Sequence, residues 1–204
     1  MKGRRERERP TDRNAYLDTR PWQADDSEVF RLAQLVLLLS VASELNKPLK
    51  TVDRLGYYDF FAANPFVVIG RGPTVRDRSD WVAVKLAGFT ERQLSYASTG
   101  QRWVSRRRRL QRDLARLVAL GLVTFETGAI DLTRPGIELS KQLLTVYADG
   151  YRTSARIVMR RLNPLSDAKL TKSVQQWLGE SWLDVDLLDD VTPDSVMVKD
   201  GSGE

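Results

Sequence analysis

The stretch from Leu32 to Val41, LAQLVLLLSV, restricts the fold of this chain more than any other. Val29, Leu32, Ala33, Leu35, Val36 and Leu39 recur at the spacing of one helical face, and Leu37 and Leu38 carry apolar surface round to the opposite side. A helix that is apolar nearly all round must be covered on every side, so it belongs in the middle of the domain. The run is about half the roughly 20 residues that a bilayer-spanning helix needs, which makes it a buried core helix. Ser27 is the expected N-cap, and Asn46-Lys47-Pro48 breaks the helix.

Around this core the punctuation predicts further helices and little sheet. Pro48 suits the first turn of a helix over residues 48–63, with Leu49, Val52, Leu55, Tyr58 and Phe61 available for one side and Asn64-Pro65 as its end. Tyr57, Tyr58, Phe60 and Phe61 fall at helical spacing and are read as core rather than as a base-stacking platform. Phe66-Val67-Val68-Ile69 reads as a short β-prone run closed by Gly70-Arg71-Gly72-Pro73. A polar connection then leads to a second such run, Trp81-Val82-Ala83-Val84.

From Gly100 the pattern sharpens. Residues 106–120 (RRRRLQRDLARLVAL) form a strongly amphipathic helix on Leu110, Leu114, Leu117 and Val118, stopped by Gly121. Residues 122–126 and 129–133 flank Thr127-Gly128 as a tight hairpin. Thr133 caps a helix with Pro135 in its first turn, carried by Ile137, Leu139, Leu143, Leu144 and Tyr147. Residues 151–162 are basic and helical, and Ala168 to Leu178 form a last amphipathic helix. A helix ending in Gly, a small hairpin and a helix starting at Leu-Thr is the order of a winged helix-turn-helix with the hairpin as wing. The expected fold is therefore mainly α with a small β-hairpin, on a winged helix-turn-helix core.

Four segments are expected. These are a basic arm (1–26) able to dock through Tyr16, Leu17 and Trp22, a helical winged-helix domain (27–150), C-terminal helices (151–179) and an acidic tail (180–204). The net charge of +5 hides a split: residues 180–204 carry −7, which leaves +12 on residues 1–179. Such a basic body points to a polyanion or an acidic protein surface. In the tail, Trp182, Leu183, Leu187 and Leu188 stand among aspartates, a pattern suited to docking on a partner. The start of the sequence, MKGRRERER, has no apolar stretch of the secretory kind, so a cytoplasmic location with no membrane partner is expected.

Chemistry is restricted by what is missing. With no Cys and no His, catalysis would rest on carboxylates, Lys, Ser, Thr or Tyr, and no phosphate-cradling or zinc-protease motif occurs. Asp184, Asp186, Asp189 and Asp190 offer oxygen ligands but lack calcium-loop spacing. No enzyme activity, cofactor or metal is expected. The positive signal is arginine: Arg108, Arg109, Arg112 and Arg116 share one arc opposite the leucine stripe, and Arg102, Arg106 and Arg107 extend it. Arg152, Arg156, Arg160 and Arg161 form a second basic face. These faces suit phosphates and guanine edges of double-stranded DNA, an acidic partner surface or this chain's own tail, or plain solvation.

The run from Leu49 to Phe66, LKTVDRLGYYDFFAANPF, resembles the segment of a helix followed by Asp-Phe and Asn-Pro-Phe in middle components of bacterial ABC three-component systems, where a winged helix follows. The resemblance covers roughly residues 27–150. It implies a non-catalytic subunit that joins an SMC-like ABC ATPase to an effector, typically a nuclease, in antiphage or antiplasmid defence of the Lamassu type. Asp53, Asp59, Asn64 and Pro65 match the motif positions and are read as helix-end and packing residues. A free-standing winged-helix transcriptional regulator is the rival reading.

Overall fold

The structure, a computed structural model, describes residues 24–70, 72–91, 99–125 and 128–179. Among them are seven α-helices and one two-stranded sheet: α1 (Glu28–Glu44), α2 (Val52–Ala63), α3 (Val75–Leu86), α4 (Thr99–Ala119), β1 (Val123–Thr124), β2 (Asp131–Leu132), α5 (Arg134–Gln142), α6 (Val146–Leu162) and α7 (Asp167–Leu178). Short 3-10 turns lie at Ala24–Asp26 and Pro65–Val67. No helix of the described residues is long and apolar enough to cross a membrane.

α1 is the central helix its sequence demands. Leu35 through Leu39, Val41 and Ala42 are all buried, beneath α2, α4, α5 and α6. Ser27 caps it by accepting from the Phe30 amide. At the other end Asn46 takes a positive φ of 51°, and the amides of Asn46 and Lys47 return to Ser43 O and Ala42 O. That geometry satisfies carbonyls the helix would otherwise leave open.

α2 begins later than expected, at Val52, because Thr51 is the cap and Leu49 is used elsewhere. Ile130 N donates to Leu49 O at 2.8 Å, an isolated antiparallel bridge that sets the α1–α2 connection beside the hairpin. The two β-prone runs between α2 and α4 are not strands. Pro65–Val67 is a 3-10 turn, and residues 81–84 lie inside α3. The cause is local: Thr74 Oγ1 accepts from Asp77 N at 3.0 Å and donates to Asp77 Oδ2 at 2.6 Å, a capping arrangement that outweighs the β preference of Val82 and Val84.

α4 stops where expected. Gly121 adopts φ 69°, and the amides of Gly121 and Leu122 return to Val118 O and Leu117 O. β1 and β2 pair antiparallel through Val123 with Leu132 and Thr124 with Asp131, the register of the expected hairpin about Thr127-Gly128, with strands shorter than expected. Thr133 caps α5 as expected, accepting from Gly136 N and donating to Gly121 O.

The single helix expected from Thr133 through Tyr147 is two. α5 ends at Gln142, and a new helix starts after Thr145, which accepts from Ala148 N. The boundary expected at residue 150 falls inside α6, whose buried face packs on α1, α2 and α3. Gly150 permits this: a Cβ there would lie 2.5 Å from Ala87 O at the end of α3. Most of the arm and all of the tail, with Trp182, Leu183, Leu187 and Leu188, lie outside the described residues.

Candidate functional site

α4 carries two kinds of arginine, and the helical repeat sorts them. Residues 103, 106, 110, 113, 114 and 117 share the inward face, and all are buried. That face holds one cation and one anion, Arg106 and Asp113, each of which must find an opposite charge inside the protein.

Arg106 is corrected from a surface contact to a core residue. Its Nε lies 2.6 Å from Asp59 Oδ2 and its Nη2 2.8 Å from Asp59 Oδ1. Nη2 also donates to Gln34 Oε1, and Nη1 reaches Asp25 Oδ1 at 3.4 Å. Tyr151 Oη, fully buried on α6, donates to Asp59 Oδ1 at 3.0 Å, and Gln34 Nε2 donates to the Tyr147 hydroxyl. Burial opposes the Arg106 charge, but the adjacent Asp59 carboxylate outweighs it and holds the guanidinium pKa above its ordinary value. Burial, together with the Asp59 charge, pushes the Tyr151 phenol well up. The pattern was present in the sequence, since Arg106 precedes Leu110 by four residues and Asp113 by seven.

The second inward ion pair is of the same kind. Arg31 on α1 meets Asp113 on α4 with Nε to Oδ2 at 2.6 Å and Nη2 to Oδ1 at 3.0 Å, both side chains nearly sealed from solvent. Hydrogen bonding to Asp113 raises the Arg31 pKa against the opposing effect of burial. Asp25 fastens the turn before α1 to this helix: Arg102 Nη2 donates to its Oδ2 at 2.8 Å, and Arg31 and Arg109 donate to its backbone carbonyl.

The motif positions between α2 and α4 serve this same attachment. Asp59 receives Arg106. Asn64 Nδ2 donates to Phe60 O at 2.9 Å while its Oδ1 accepts from Arg102 Nη1 at 3.2 Å. Tyr57 and Phe60 stack on and abut Trp103, confirming the aromatics as core. Asp53 stays outside, 3.6 Å from Arg107.

On the outward face, Arg107, Arg108, Arg112 and Arg116 are exposed, separated by Gln111 and Ala115. Arg116 lies 3.9 Å from Glu28. Arg109 is a third exposed and turns toward Asp26. Arg112 makes no hydrogen bond or ion pair with the described residues. The helix then passes through Gly121 into β1, so α4 and the hairpin are consecutive in the chain.

The second basic face differs from expectation. Arg156 bonds Glu44 of α1 at 2.7 Å, Arg160 bonds Asp80 of α3 at 2.7 Å, and Arg161 bonds both Asp77 and Asp80. Arg152 donates to the carbonyls of Ser140 and Leu143. Each thus has an acceptor on a neighbouring element, because α6 lies among α1, α3 and α5 with their acids and carbonyls turned toward it. Arg156 and Arg160 keep about half their side chains exposed, 44% and 52%. Among the described residues no group of three acids is placed to hold a metal ion.

No family model matches the chain, and searches of curated proteins and of solved structures return no match.

Proposed function

We propose that this chain is a non-catalytic accessory subunit of an SMC-like ABC ATPase complex in antiphage or antiplasmid defence, linking the ATPase to an effector nuclease, with the outer face of α4 holding double-stranded DNA. One observation carries the DNA contact. Arg107, Arg108, Arg112 and Arg116 face outward on a helix whose inner face is fixed by two bidentate ion pairs, Arg106–Asp59 and Arg31–Asp113. Cations held on a rigid helix lose little freedom when they meet phosphates.

A winged-helix core is part of this reading. In its support, α1, the Leu49 bridge, α2, α4, β1 and β2 follow in the order of such a domain, with α3 inserted before the recognition helix. The subunit role rests on the Asp59-Phe60 and Asn64-Pro65-Phe66 run, whose polar members attach α2 to α4. Purifying the tagged chain from cells that carry its neighbouring genes tests that role. An ATPase and a nuclease recovered in fixed stoichiometry support it, and the chain recovered alone removes it.

The same element order favours one other reading, a free-standing transcriptional regulator. That protein would dimerise and protect a palindrome in its own promoter, whereas the subunit reading expects sequence-blind binding with a steep salt dependence.

A further inference from the structure

A cleft of about 310 Å³ lies where α6 ends, far along that helix from its junction with α5. Val68, Leu162, Leu165 and Trp177 give it apolar lining, and Arg76 of α3 with Arg160 and Arg161 of α6 give it basic lining. Arg160 is half exposed although bonded to Asp80. Arg76 is exposed and makes no ion pair or hydrogen bond with the described residues.

The chain itself leads to this cleft. Trp177 is in its wall, α7 ends one residue later at Leu178, and Gly179 at φ 83° and ψ 159° turns the backbone out of the helix. The 25 residues that follow begin ESWLDVDLLDD, alternating acids with large apolar side chains. Trp182 stands three residues past Gly179, within about 10 Å of chain. So short a tether holds the segment near the cleft at a millimolar effective concentration.

We propose that this cleft is the docking site of the chain's own segment from Trp182 to Leu188, bound in cis. An apolar side chain of the segment packs on the apolar lining, and Asp184 and Asp186 meet Arg76 and Arg160. The proposal is independent of the function of α4. It assigns the tail to this chain's own body and not to a partner.

The absence of cysteine from the chain makes a direct test available. Full-length P164C/V185C places one thiol on the cleft wall and one in the segment, and K172C/V185C puts the first thiol on the exposed side of α7 instead, with the same stretch from Gly179 to residue 185 joining the segment to the body. Under mild oxidation, docking in cis makes the intramolecular disulfide of P164C/V185C form about tenfold faster than that of K172C/V185C. Adding R76E, an exposed change that leaves folding intact, brings the rate back toward the control. Equal rates in the two pairs, or no effect of R76E, overturn the proposal. Disulfide-linked dimers whose yield falls on dilution overturn it in favour of a second copy as occupant.

Discussion

Arg106 of α4 and Asp59 of α2 meet in the core through two parallel hydrogen bonds of 2.6 and 2.8 Å, with Tyr151 of α6 closing on the same carboxylate at 3.0 Å. Three helices thus converge on one charge. The pair belongs to the fold, although Arg106 opens the run of four arginines that is the most basic stretch of the chain.

Removing one member alone leaves the other charged and buried. D59A or R106A should lower unfolding stability by about 3–5 kcal/mol, and the apolar double variant D59L/R106M should recover a large part of the loss. Urea unfolding with an unchanged slope checks this; additive losses in the double variant would show that the two side chains act separately.

Tyr151 predicts an alkaline limit. Its folded-state pKa is raised, so the unfolded phenol ionises first, near pH 10. The stability from keeping it neutral is fully present below about pH 10 and is lost as pH rises above that value. Y151F should be less stable at pH 8 by about 1–2 kcal/mol, from the lost hydrogen bond to Asp59, yet fall less steeply above pH 10. Thermal unfolding between pH 8 and 11 reads both effects, and parallel profiles would contradict the assignment.

Gly150 is expected to reject a methyl group. Alanine in a helix interior normally gains about 1 kcal/mol over glycine. Here the new Cβ would press on Ala87 O, a backbone atom 2.5 Å away, so G150A should instead destabilise by about 1–3 kcal/mol. A rise in Tm would mean that α3 and α6 can separate at little cost.

What could be read beforehand followed local rules. The stripe of α1, the stops at Asn46 and Gly121 and the caps at Ser27 and Thr133 are each decided by a few neighbouring residues, and each is found where expected. Val82 and Val84 misled because β propensity is weaker than the Thr74–Asp77 cap. Arg106 misled for another reason, and the pairing of Arg156 and Arg160 was hidden for the same one. Whether an arginine faces water or an acid depends on residues 47, 112 and 80 positions away, which no local pattern contains. Asp25 likewise gains meaning from Arg102, Arg106 and Arg109, all more than 75 residues away.

The most direct measurement is the salt dependence of binding to a duplex of mixed sequence, for the intact chain and for R108E/R112E/R116E. Those three side chains are exposed, so the variant should unfold at nearly the same temperature. With about four phosphates contacted, the intact chain should show a log–log slope near −3.6 and the variant one near −1, with affinity lower by at least about 100-fold at low salt. Equal slopes and affinities would contradict the account and leave the outer face of α4 as a solvated surface.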